Sequence, residues 1–324
     1  MASVENRPDD ASGEGRRATR PSAIPRPGWK AIIWRVKNRI SEDNLSIVAA
    51  GVSFYTFLSI FPALAALVSI YALVTDPAKL QEHIIRVQVV LPAEAAQLVN
   101  QQLQRLIESG RELGWSLVVG LFIALWSAAK GMSALITALT VAYDEKETRG
   151  FLRLNALALL LTLAGILFLV VFLFLIIGIP VVLHALNLGD TAAVLINFLR
   201  WPLLAIGGIF ALGVLYRYAP NRATPNWQWI TWGAVTATAL WLIGCVLFSY
   251  YVTNFGTYNA VYGSLGVVVI LMMWLLLSIY CILLGAEINA EIERQTKVDT
   301  TVGEPEPMGE RGARVADAAG RKSA

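Results

Sequence analysis

Residues 223–286 read ATPNWQWITWGAVTATALWLIGCVLFSYYVTNFGTYNAVYGSLGVVVILMMWLLLSIYCILLGA, a run without Asp, Glu, Lys, Arg or His. A helix rises ~1.5 Å per residue, so ~20 apolar residues cross a bilayer core of ~30 Å. The run is too long for one crossing. In lipid every backbone N–H and C=O must find a partner within the chain, which leaves helices or closed barrels. The stretch therefore reads as a helical hairpin, with spans at about 229–252 and 265–286 and a short aromatic turn between them.

Working outward, the same loss of charge marks four more spans at about 47–74, 114–139, 154–183 and 201–218. The second is interrupted by a single charge, Lys130. The expected fold is all-α, a polytopic membrane protein of six transmembrane helices. Residues 29–295 form the membrane domain. The polar, Arg-, Gly- and Pro-rich arm 1–28 and the tail 296–324 are expected to be disordered, and the arm does not resemble a cleavable signal peptide.

Composition agrees with a lipid-bounded core. Apolar residues make up 56% and charged residues 15% of the chain, against roughly a quarter charged in soluble domains. The net charge of +3 conceals a strong asymmetry. Nine Lys and Arg precede span one, three follow span two, two follow span four and six lie in the tail, whereas five lie on the opposite side. Positive loops stay in the cytoplasm during insertion, so both termini are expected there. The small net charge gives no sign of a nucleic-acid partner. Cys245 and Cys281 both fall inside spans and read as buried apolar residues, with no metal spacing.

Two amphipathic elements flank span one. Trp29, Ile32, Ile33, Val36 and Ile40 recur at helical spacing, with Lys30, Arg35, Lys37 and Arg39 on the remaining face. That pattern suits a helix lying among anionic headgroups at the inner leaflet; the alternative is a basic helix packed on the protein's own loops. Beyond span one, Asp76 and Pro77 make a helix start. Amphipathic spacing around Pro92 then predicts external helices over 76–112, as a cap or a docking surface.

Small residues allow close helix approach in membranes. Span three, nearly all large residues, is expected at the periphery. Spans one, two, four and five are expected inside, around Ala49, Ala50, Gly51 and Ser53; Ser127, Ala128 and Gly131; Gly207, Gly208 and Ala211; and Gly233, Ala234 and Ala237. Pro62 removes a backbone hydrogen bond within span one and is expected to kink it.

Candidate functional residues are the polar groups the lipid tolerates least. A central intramembrane lysine costs ~2.5–3.5 kcal/mol on insertion scales, so Lys130 is expected to face a cavity or a partner, or else to snorkel to the inner interface. Glu287, in GAEINAEIE at the inner end of span six, is the proposed partner, with a solvated helix end as the alternative. Tyr258 and Tyr262 lie in the uncharged aromatic turn, which serves as an interfacial anchor or as a gate. Arg217 belongs to an inner loop with Tyr216, Tyr218, Pro220 and Arg222 that could meet lipid phosphate. No catalytic, metal-binding or cofactor-binding residue is expected.

Several blocks together resemble the YihY/BrkB family of bacterial inner-membrane proteins. They are AAGVSFYTFLSIFP (49–62), LWSAAKGMSALITALTVAYD (125–144), GVLYRYAPN (213–221), WGAVTATALW (232–241) and YGSLGVVVILMMWLLLSIYCILLGAEINAE (262–291). The resemblance spans about residues 29–295. It implies six spans, both termini inside, location in the bacterial inner membrane and a link to envelope lipid handling, and it carries over no catalytic residue. The family also bears the legacy label "ribonuclease BN", widely regarded as a misassignment.

The residues argue against that label. RNA hydrolysis needs metal ligands, paired histidines or clustered carboxylates. His83 and His184, the only histidines, fall on the external side. Glu287, Glu291 and Glu293 at one helix end, with Asp144, Glu145 and Glu147 in a nearby loop, read as solvated ends. The functional expectation is a non-enzymatic transporter or flippase-like protein handling an envelope lipid, with anionic membrane lipids as partners. It lacks a Walker A sequence. The alternative is a noncatalytic scaffold that docks envelope proteins; the oligomeric state is left open.

Overall fold

The computed structural model describes residues 14–74, 115–178, 190–255 and 265–318. The expected external helices over 76–112 and the aromatic turn holding Tyr258 and Tyr262 lie outside the described residues.

Six long helices carry the architecture. They are α2 (Leu45–Val74), α3 (Trp115–Ala142), α4 (Phe151–Leu173), α5 (Asp190–Tyr218), α6 (Trp227–Phe255) and α7 (Leu265–Gln295), preceded by α1 (Arg26–Glu42). The last turn of α4 widens into a π-helix at Phe174–Gly178. All six long helices are long and apolar enough to cross a membrane. Among the described residues the only extended pairing is one antiparallel bridge, Pro225 to Thr301. The all-α, six-span expectation is met.

The size rule for packing holds in part: it places span three correctly, but the Gly207, Gly208 and Ala211 stripe of span four is only half-buried. In α4 only 6% of the membrane-length stretch is buried by protein, against 17–28% in the other five, so α4 is the peripheral helix. Small side chains lie at the contacts. Ala49, Ser53, Ala128, Ala234 and Ala237 are all buried. The α2–α3 contact is close enough that the Gly131 N–H reaches the Ser59 hydroxyl at 2.8 Å. A Cβ on Gly233 would overlap the carbonyl of Gly285 and stand 2.5 Å from the Asn289 carboxamide, so α6 and α7 touch backbone to backbone. Ala50 and Gly51 instead face outward.

The first and last described segments, residues 14–25 and 296–318, gather at one end of the bundle, here called basal. This basal end departs from the sequence expectations in three ways. First, α7 continues as a helix to Gln295, nine residues beyond the expected span limit. Glu291, Glu293, Arg294 and Gln295 are buried in its last turns because arginines and loops pack over them. Second, the described parts of the segments expected to be disordered, residues 14–28 and 296–318, are seated on that helix end. Gln295 donates to the Glu14 carbonyl at 2.8 Å and Thr296 to the Ala18 carbonyl at 2.8 Å. Arg311 donates to the carbonyls of Ala316 and Lys297, both at 2.8 Å, and Val315 is fully buried. Polar composition predicted disorder there because it cannot reveal that side chains far along the chain satisfy these backbone groups.

Third, the apolar face of α1 packs on protein. Ile32 and Val36 are buried in a cluster with Ile24, Trp229 and Ile292, and Trp29 rests 5.4 Å from Trp232. Trp29, Ile32, Val36 and Ile40 of the face expected to enter the leaflet thus seal α1 against α7 and the start of α6, whereas Ile33 of that face stays exposed. Cys245 and Cys281 are free thiols.

Candidate functional site: a groove between α2 and α3

The α2–α3 pair is tight at Gly131 and Ser59 yet opens on its outer side into a groove of about 780 Å³. From Val48 to Pro62 it runs ~20 Å along α2 at 1.5 Å per residue. Its wall is mostly apolar, with Val52, Leu58, Trp126, Ala134, Ala138 and Val141. Hydroxyls of Tyr55, Ser59, Ser127, Ser133 and Thr137 interrupt it, and the single charge is Lys130. Two of these hydroxyls turn back to their own helices: Ser59 donates to the Tyr55 carbonyl at 2.7 Å and Thr137 to the Ser133 carbonyl at 3.0 Å. The Lys130 side chain is exposed.

Local structure explains where the ammonium goes. Beyond Ala142 the chain reverses through Asp144, which adopts a left-handed conformation (φ 57°). Residues 146–149 then bond the α5–α6 turn at Asn221 and Ala219 before α4 begins at Phe151. The Phe151 ring, in the first turn of α4, stands 6.3 Å from that of Trp126. Lys130 Nζ donates to Asn155 Oδ1 at 3.3 Å and lies 5.1 Å from the Trp126 ring centroid and 5.9 Å from that of Phe151. Both rings are within the ~6 Å at which a cation is attracted to an aromatic face. Asn155 is itself held by donating to the Phe151 carbonyl at 2.7 Å. The lysine is steered by two aromatic faces and one neutral acceptor, and its charge remains uncompensated by any carboxylate among the described residues.

The other candidates lie elsewhere. Glu287 is buried at the basal end among Asp43, Glu291, Arg39 and Arg294, and its Oε1 has no hydrogen-bond partner. The expected Lys130–Glu287 pair is absent, because Lys130 turns to Asn155 while Glu287 lies buried at the basal end beside Asp43 and Glu291. Arg217 donates to the Pro225 carbonyl at 2.7 Å and stacks 5.0 Å from the Trp227 ring, which makes it a brace of the α5–α6 turn outside the groove. Tyr258 and Tyr262 lie outside the described residues. Asn155 was missed, although a lone asparagine entering the apolar run of span three was a visible signal.

The carboxylates read as solvated ends are instead joined into a basal network. Arg35 binds the Glu291 carboxylate and donates to Gln295 Oε1 at 2.6 Å. Arg39 and Arg294 each reach Asp144 at 3.5 Å. Arg222 meets Glu293 at 2.8 Å while its guanidinium lies 4.4 Å from the Tyr143 ring centroid. Arg149 pairs with Glu147 at 2.6 Å and donates to the Ala219 carbonyl at 2.8 Å. Burial raises the Asp43 and Glu145 carboxyls above their ordinary values, whereas the Arg149 hydrogen bond lowers that of Glu147. Glu291, Glu293, Glu147 and Asp144 are matched by arginines, whereas Glu145 accepts the Arg314 backbone N–H. No group of three or more His, Cys, Asp or Glu among the described residues is arranged to hold a metal ion.

A six-span helical bundle with an apolar, singly charged lateral groove defines an integral, multi-pass membrane protein. The match to the family model described as virulence factor BrkB extends over residues 36–309, and the chain belongs to that family. It is 31% identical over 254 residues to the putative ribonuclease-like protein YfkH of Bacillus subtilis, covering 77% of this chain and 90% of that protein. The UPF0761 membrane protein IL2447 of Idiomarina loihiensis is 26% identical, with 83% and 91% covered. The UPF0761 membrane protein PBPRA3489 of Photobacterium profundum is 27% identical, with 85% of each chain covered. No solved structure matches the chain.

Proposed function

We propose that the α2–α3 groove receives an anionic envelope lipid or related amphiphile and that the protein moves or organises it across a bacterial inner membrane. The observation that carries this reading is Lys130, an exposed cation without a carboxylate partner among the described residues, in a mostly apolar groove. A volume of about 780 Å³ falls within the ~300–1,000 Å³ typical of ligand sites. Lys130 offers an ammonium to a phosphate-bearing headgroup, the hydroxyl-lined wall accepts its polar linkage, and the open side leaves acyl chains in the bilayer. The basal end faces the cytoplasm in this reading, in keeping with twenty Lys and Arg on that side against five on the other.

The proposed activity is not enzymatic. The arginine pairing of Glu291, Glu293 and Glu147 supports that view, because an acid neutralised by arginine is a poor metal ligand or general base. The "ribonuclease-like" name belongs to the Bacillus relative.

The test is reconstitution of purified protein into vesicles containing an anionic lipid labelled on its headgroup, with accessibility of the label followed from outside. Wild type and Lys130→Arg are expected to equilibrate the label faster than empty vesicles, and Lys130→Ala more slowly than wild type. Wild-type kinetics equal to those of empty vesicles would overturn the reading in favour of a noncatalytic scaffold.

A further inference from the structure

The cations of α1 divide into two sets. Arg35 and Arg39 turn inward and are consumed by Glu291, Gln295, Asp43 and Asp144. Arg26, Lys30 and Lys37 turn outward and are exposed, with no acidic partner among the described residues. Between them on the same face stand Ile33, 65% exposed, and Trp34, 56% exposed. Positions 26, 30, 33, 34 and 37 recur at helical spacing, so they form one stripe. The helix therefore has two apolar faces: one buried on α7, and this second one ringed by free positive charge.

The position of the stripe indicates what covers it. α1 ends two residues before α2 starts, and Ile47 in the first turn of α2 is 71% exposed. Trp232, which contacts Trp29 of α1, is exposed as well, as are Trp227 and Tyr218 nearby in the chain. These aromatics and Ile47 mark the edge of the apolar belt, where Trp and Tyr gather at a membrane boundary. The Trp29–Trp232 contact ties α1 to this edge.

We propose that Arg26, Lys30, Ile33, Trp34 and Lys37 form a docking face for the anionic headgroups of the adjacent leaflet, with Trp34 and Ile33 inserted and the three cations on lipid phosphates. A protein partner would want a polar rim matched in sign and shape. A leaflet of anionic lipid supplies negative charge and an apolar layer together, which is the combination this stripe presents. The occupant is the bilayer that already surrounds the protein, and the proposal is independent of the groove.

The test uses the full chain, with Cys245 and Cys281 replaced by alanine, in lipid nanodiscs. A nitroxide is placed at position 34, and a second at exposed Met308 serves as the aqueous reference. Relaxation by dissolved oxygen and by a water-soluble nickel chelate reports depth. In discs containing anionic lipid, the label at 34 is expected to be several-fold less accessible to nickel than that at 308. Zwitterionic discs, or Lys30→Gln with Lys37→Gln, should reduce that protection. Equal nickel access at the two positions in both lipids would overturn the proposal, as would protection at 34 that ignores both lipid charge and the lysine substitutions. The second result would mean protein covers the face.

Discussion

Arg222 and Glu293 meet at 2.8 Å with no side-chain surface left exposed on either. The pair joins the α5–α6 turn to the last turn of α7, and Thr300 of the C-terminal segment also donates to Glu293, at 3.1 Å. Removing one partner strands the other charge in the interior, which costs ~3–5 kcal/mol in buried pairs. Arg222→Ala and Glu293→Ala are each expected to destabilise the protein by about that amount, read as a large fall in Tm in detergent micelles. Replacing both by methionine should be milder than the sum of the single changes. Additive losses would mean that the two groups do not act as a pair.

Gly233 and Gly285 set the α6–α7 contact. A methyl group on Gly233 has nowhere to go, because backbone and the Asn289 side chain occupy its position. Overpacking of this kind costs ~1–3 kcal/mol. Gly233→Ala is expected to lower the yield of folded, monodisperse protein and its Tm. Gly120→Ala meets nothing within 4 Å and serves as the tolerated control. Equal behaviour of the two in size-exclusion and melting experiments would show that the contact is looser than described.

Two acids at the basal end should respond to pH with opposite signs. Asp43 is raised by burial, so the folded state holds its proton more tightly than the unfolded chain. Its contribution is present below the ordinary Asp value of ~3.9 and is lost as pH rises through the raised value. Glu147 is lowered by Arg149, so its contribution is present above the ordinary Glu value and is lost as pH falls through the lowered one. Asp43→Asn is therefore expected to gain Tm relative to wild type as pH rises from acid to neutral. Glu147→Gln is expected to lose Tm at neutral pH and to rejoin wild type in acid. Melting curves across that range check both signs.

The spans were legible because lipid imposes its demand locally: twenty consecutive residues without charge decide the matter from Leu45 or Trp229 onward. The peripheral place of α4 was legible for the same reason, since a helix of large side chains offers no close contact. The basal network was not. Arg222 and Glu293 are 71 positions apart, and Gln295 and Glu14 are 281 apart. No local pattern separates an arginine that stays inside by charge bias from one that binds a buried glutamate. At the groove, Lys130 could be singled out by its cost in lipid, but not its partner. Asn155 lies 25 positions along the chain, beyond a turn through Asp144 in a left-handed conformation, and no local pattern announces that it meets Lys130.

If Asn155 and the two rings orient Lys130 for a ligand, Asn155→Ala should weaken lipid movement in vesicles while leaving Tm close to wild type. The exposed lysine keeps water or headgroups as partners, so folding does not hinge on the 3.3 Å contact. A large loss of Tm with unchanged transport would assign the asparagine to structure instead.

The most direct measurement of the central claim is photo-crosslinking with an anionic lipid bearing a photoreactive group beside its phosphate, followed by mapping of the labelled residues. Labelling is expected on the groove wall at Tyr55, Ser59, Ser127 and Thr137, competed by unlabelled anionic lipid, reduced in Lys130→Ala and retained in Lys130→Arg. Labelling spread evenly over lipid-facing α4 and the groove, indifferent to Lys130, would contradict the account.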